Sequence, residues 1–153
     1  MNDVSQLPDR SDRTLLAASL AFFATAGVAN TSLAASARSL VAVAFAIAGV
    51  YGLARYARAV SRRRLATLSL GLWIAFLAVV PAHAVGVAAV GSALPVSTVA
   101  VAAALTALTW ATLLGAVGAT TFLGFREYGA GVGAEAPEDR VLEGDYDVPS
   151  RTR

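Results

Sequence analysis

Long uncharged apolar runs alternate along this chain with short segments that carry arginine, and the lengths of those runs predict the elements. Between Leu65 and Phe125 there is no Asp, Glu, Lys or Arg, a run of 61 residues. A helix crossing a hydrocarbon core about 30 Å thick needs roughly 20 apolar residues, at about 1.5 Å of rise each. The run is too long for one such helix and fits two. Val90-Gly91-Ser92-Ala93-Leu94-Pro95 supplies the break, because Gly, Ser and Pro together disfavour a continuous helix. Two spans follow, over 65–87 and 96–123, the second long enough to tilt or protrude.

Upstream, the uncharged run Thr14 to Ala37 predicts a span over 15–33. The run Ser39 to Ala54 predicts a span over 39–54, which reaches crossing length if Arg38 and Arg55 mark its ends and extend towards the headgroups. Open strands cannot cross lipid and the alternation of a membrane barrel is absent, so the spans are helices. The expected fold is all-α, an integral membrane four-helix bundle. It comprises an N-terminal segment 1–13, a transmembrane domain 14–125, and a tail 126–153.

Charge orients this bundle. Arg55, Arg58, Arg62, Arg63 and Arg64 lie between spans two and three, Arg10 and Arg13 precede span one, and Arg126 opens the tail. Only Arg38 lies between spans one and two, and no arginine lies between spans three and four. Cytoplasmic segments are the ones enriched in Lys and Arg, so both termini are expected in the cytoplasm of a multi-pass cell (plasma) membrane protein. Ala35-Ser36-Ala37 also fits a small-residue cleavage pattern, which would make span one a signal peptide. The acidic leader, with Asp3, Asp9 and Asp12, argues for retention instead.

Composition strengthens the membrane reading. Hydrophobic residues make up 57% of the 153 and charged residues only 14%, against about 25% charged in an ordinary soluble domain. The net charge of +2 does not point to nucleic acid, since the arginines flank apolar segments without interleaved aromatic side chains. With no Cys, disulfides, thiolate metal sites and cysteine nucleophiles are excluded. The tail is different in kind. Tyr128-Gly129-Ala130-Gly131-Val132-Gly133 reads as a flexible linker. Beyond it, Glu135, Glu138, Asp139, Glu143, Asp145 and Asp147 make an acidic, disordered segment.

The clearest candidate surface is in span four. Ala103, Ala107, Ala111, Gly115 and Ala119 recur every four residues and form a stripe of small side chains. Such a stripe lets another helix approach closely, where dispersion rather than hydrophobic driving force holds helices together. It serves packing within the bundle or association with another chain. Ala44, Ala48 and Gly52, and Ala78, Ala82 and Gly86, repeat the spacing. Thr98, Thr106, Thr109, Thr112, Thr120 and Thr121 tint span four polar, and their hydroxyls can bond the carbonyl three or four residues back. Pro81 is expected to kink span three, and His83 is expected near the outer interface, roughly 27 Å along that helix from Leu65. Trp73 and Trp110 are expected between helices, and Tyr51 and Tyr56 as interfacial anchors. Ser19-Leu20-Ala21 and Ser69-Leu70-Gly71 hint at a duplicated hairpin.

The arginines at 55, 58, 62, 63 and 64 are candidates for anionic lipid headgroups or for the acidic tail. No carboxylate, Lys or Arg lies inside a span, where proton relays and ion paths usually carry one. No Walker loop, HExxH or GxSxG occurs, and a lone histidine supplies only one metal ligand, so no catalytic, cofactor or metal site is expected. The expected function is therefore non-enzymatic: helix association, as an accessory or scaffold subunit of a membrane complex, with the bilayer and itself or another membrane protein as partners. The alternative is a small oligomeric channel or uncoupled transporter.

Overall fold

The computed structural model describes residues 10–30, 36–86, 89 and 97–134, and these form four helices with no strand among them. They are α1 (Arg10–Ala29), α2 (Ala37–Ala59), α3 (Arg62–Val85) and α4 (Thr98–Ala134). Local chemistry fixes where three of them start. The hydroxyls of Ser36, Ser61 and Ser97 accept from the backbone N–H of Ser39, Arg64 and Ala100, meeting donors that the first helical turn leaves unpaired. At the other end of α3, Gly86 takes φ +96°, a backbone conformation that side chains with a Cβ rarely adopt.

α2, α3 and α4 are long and apolar enough to cross a membrane, over Ala37–Ala59, Arg62–His83 and Thr98–Gly129, which supports a membrane location. α1 is as long as the bilayer core is thick, but its first turn carries Arg10, Asp12 and Arg13. Its apolar part is correspondingly short. Arg10–Arg13, expected in a separate N-terminal segment, belong to this helix, which ends at Ala29 rather than Leu33; residues 31–33 lie outside the described residues. α2 outruns its expected end at Ala54 by more than a turn, carrying Arg55 and Arg58 within the helix. Tyr128–Gly133, read above as a flexible linker, continues α4 instead, and the helix runs on to Ala134. Arg126 and Glu127 tie this end of α4 to its neighbours, so the helix does not stop where its apolar run stops. The Val90–Pro95 break and the acidic segment from Glu135 lie outside the described residues.

The most extensive packing joins α1 with α2, α3 with α4, and α1 with α4, while α2 meets α4 over a shorter stretch. The three extensively packed pairs run antiparallel. Gly52 lies against Ser19 and Gly49 against Phe23 in the α1/α2 pair, and Gly27 lies against Trp110 in the α1/α4 pair. Ser69 meets Thr120 and His83 meets Thr109 in the α3/α4 pair. The start of α1, the end of α2, the start of α3 and the end of α4 therefore share one end of the molecule. The main core lies in that half, built from Phe23, Leu53, Tyr56, Ala57, Val60, Leu65 and Ala119. Tyr56, expected as an interfacial anchor, is only 4% exposed within this core. Tyr51, one turn earlier, is 64% exposed, and its hydroxyl accepts from Arg55 Nη1 at 3.3 Å.

The outer faces are as apolar as the interior. Leu40, Val43, Ile47 and Val50 form an exposed stripe on α2, and Leu70, Ile74 and Leu77 form one on α3. Much of the interior is small or polar: Ser19 and Ser69 are buried beside alanines and glycines. A helix apolar all round has no aqueous face, and small residues at contacts are what close packing in lipid requires.

Candidate functional site

The stripe on α4 divides into two parts. Gly115 and Ala119 are buried, and a Cβ on Gly115 would stand 2.9 Å from Leu20 Cδ2 and 3.2 Å from Leu72 Cδ1. At this level α4 lies between α1 and α3, and a side chain here would displace the ends of both leucines. Ala107 and Ala111 are half-buried and Ala103 is exposed. The change follows from helix length, because α1 ends at Ala29 and Trp110 already packs on Gly27 close to that end. Of the repeated spacings elsewhere, Gly52 packs on Ser19, Ala48 and Ala82 are half-buried, and Ala44 and Ala78 are exposed.

A polar seam joins α3 to α4. Thr120 Oγ1 donates to the Ala116 carbonyl at 2.7 Å, so its lone pairs are free to accept. Ser69 Oγ lies 2.6 Å away and Trp73 Nε1 donates from 3.1 Å. Thr109 Oγ1 donates likewise to the Leu105 carbonyl at 2.7 Å and faces His83 Nε2 at 2.9 Å. Thr106, Thr112 and Thr121 also donate to the carbonyl four residues back. His83 is thus a clasp between two helices, and α3 continues through Pro81 to reach it. The seam was missed because Ser69, Trp73 and His83 were read singly. Their spacing, which places them on one face of α3, was the available signal.

At the shared end lie Arg10, Arg13, Arg55, Arg58, Arg62, Arg63, Arg64 and Arg126, against Asp12 and Glu127 among the described residues; Arg38 is at the other end. Three of these ends interlock. Arg126 Nη1 donates to the carbonyls of Ala57 and Val60 at 3.0 and 2.9 Å, which the end of α2 would otherwise leave unpaired. Its neighbour Glu127 pairs with Arg62 at the start of α3. Consecutive residues of α4 thus grip the short Val60-Ser61 connection from both sides. In the sequence Arg126 counts only towards orientation and Glu127 has no role, since nothing in a linear pattern shows that α4 ends beside this turn. Arg55, Arg58 and Arg63 are exposed and Arg64 is half-buried.

Two of the clefts among the described residues bear on this geometry. One, of about 240 Å³, opens where α1 and α2 diverge away from the arginines, lined by Gly27, Asn30, Ser39, Ala42 and Trp110 among others. The second, of about 400 Å³, lies between α2 and α4 at the arginine end. Among the described residues no group of three potential metal ligands occurs. No protein-family model matches this chain, and neither the curated proteins nor the solved structures yield a similar protein.

Proposed function

We propose that this chain is a four-span plasma membrane protein with both termini in the cytoplasm, acting without chemistry of its own as an accessory or scaffold subunit of a membrane complex. The observation that carries this reading is the divided stripe on α4. Its lower half is used up within the molecule, while Ala103 at its upper end, with Val99 and Leu108 nearby, is left uncovered by the described residues. Close helix approach in lipid selects such small-residue surfaces. α1 is read as a retained span, because Ser19 and Phe23 fill the space over Gly52 and Gly49 that its removal would leave open. The orientation rests on eight arginines at one end against Arg38 at the other.

The transporter reading receives less support. The threonine hydroxyls that would line a path through α4 donate to their own helix, and two of them also pair with side chains from α3. Affinity purification from native membranes with mass spectrometry of what co-purifies tests the proposal. A stoichiometric membrane partner that is lost on Ala103→Leu supports it. A homo-oligomer without a partner, with solute flux in liposomes, would replace it with the transporter reading.

A further inference from the structure

The cleft between α2 and α4 at the arginine end joins an apolar wall to two cations. Its wall is apolar, made by Ala54 and Ala57 of α2 and by Phe122 and Phe125 of α4, and its remaining lining residues are Arg58 and Arg126. Both cations lie on the same side of that wall, one helical turn beyond Ala54 and Phe122 respectively. One turn further into α2 than Ala54, Val50 is exposed and extends the apolar wall. The site therefore suits an amphiphile, with a negative head at the arginines and a hydrocarbon chain running along both helices.

Position and valence select the head. Arg38 and Arg58 lie 20 positions apart on α2, about 30 Å, which is the thickness of the hydrocarbon core. Arg58 therefore stands at headgroup depth. Its guanidinium has no hydrogen-bond partner among the described residues. Arg126 is held in place by the Ala57 and Val60 carbonyls, which occupy Nη1 and leave the hydrogens on Nε and Nη2 for a ligand. A guanidinium fixed in this way loses little freedom on binding, and its planar fork matches two oxygens of a phosphate. Glu127 does not compete, because its carboxylate pairs with Arg62 on the α3 side of α4.

We infer that this cleft is a binding site for one anionic phospholipid, with the phosphodiester between Arg58 and Arg126 and an acyl chain against Phe122 and Phe125. The site is distinct from diffuse attraction to the arginines of the α2–α3 turn, because it joins two of the cations to an apolar groove.

The test uses the full chain purified in detergent, offered equimolar phosphatidylglycerol and phosphatidylcholine of identical chains, and examined by native mass spectrometry. Phosphatidylglycerol should be retained as a single preferred adduct. Arg58→Gln, which breaks no bond among the described residues, should reduce that adduct about fivefold, the effect of one arginine on an anionic headgroup. Arg13→Gln, an exposed arginine at the same end but outside the cleft, should leave it unchanged. Phe125→Ser should weaken it without reversing the headgroup preference. Equal retention of the two lipids, or equal loss in the Arg58 and Arg13 variants, overturns the assignment. So does an adduct that forms only when the acidic residues from Glu135 to Asp147 are converted to amides, since the chain's own tail would then be the occupant.

Discussion

Replacing Gly27 by alanine adds one methyl group where α1 meets α4, and the added Cβ would fall against Trp110 Cβ, Cγ and Cδ1. These atoms are the root of the tryptophan side chain and its attached ring edge, so no rotation of a distal group clears them. Either Trp110 leaves its rotamer, at about 0.5–1.5 kcal/mol, or the helices separate. Together such overpacking costs about 1–3 kcal/mol. Alanine also favours the helix over glycine by about 1 kcal/mol, which masks part of the loss. Gly71→Ala removes that ambiguity, because a Cβ there has nothing within 4 Å and gains only the propensity. Gly27→Ala should therefore be less stable than Gly71→Ala by about 1–3 kcal/mol. Gly115→Ala should fall between them, because its contacts are the mobile ends of Leu20 and Leu72. Reversible unfolding in mixed micelles against increasing dodecyl sulfate, followed by far-ultraviolet circular dichroism, measures all three. In a Trp110→Gly background, which removes all three atoms, the excess cost of Gly27→Ala should shrink by at least about 1 kcal/mol, a coupling expected only between groups in contact. If Gly27→Ala and Gly71→Ala agree within about 0.5 kcal/mol, the α1/α4 contact described above is wrong.

The seam between α3 and α4 predicts coupling of about 0.6–1.7 kcal/mol between Ser69→Ala and Thr120→Val, measured as a double-mutant cycle in the same micelles; simple additivity would show that no bond joins them. Arg126→Gln should loosen the Val60-Ser61 connection and speed trypsin cleavage at Arg62–Arg64 about fivefold, the low end for charge-assisted bonds at an exposed group; unchanged cleavage would remove the clamp. The chain has no cysteine, so Ala59→Cys and Ala37→Cys give clean labelling sites at opposite ends of α2. An impermeant maleimide on intact cells should label the second and spare the first; the reverse pattern inverts the topology.

The linear pattern alone determined that the chain is helical, that it belongs in a membrane, and which segments carry the arginines. These properties depend on runs of apolar residues against a fixed bilayer thickness, and on charge placed between those runs, so they are local quantities. Short-range chemistry was legible too: Thr106, Thr109, Thr112, Thr120 and Thr121 bond the carbonyl four residues back, as expected. Helix ends were not, because α2 and α4 extend past their apolar runs. Arg126, Glu127 and the Ser61 cap stabilise that end through groups on other helices or beyond the hydrophobic signal. Which small residues pack internally was likewise a tertiary matter. Ala103 and Ala119 are indistinguishable in sequence, yet one is exposed and the other buried, because the neighbouring helices differ in reach. The same applies to His83 and Tyr56, whose partners are distant in sequence. Close contact between helices depends on relative rotation and height, and a sequence read one helix at a time specifies neither.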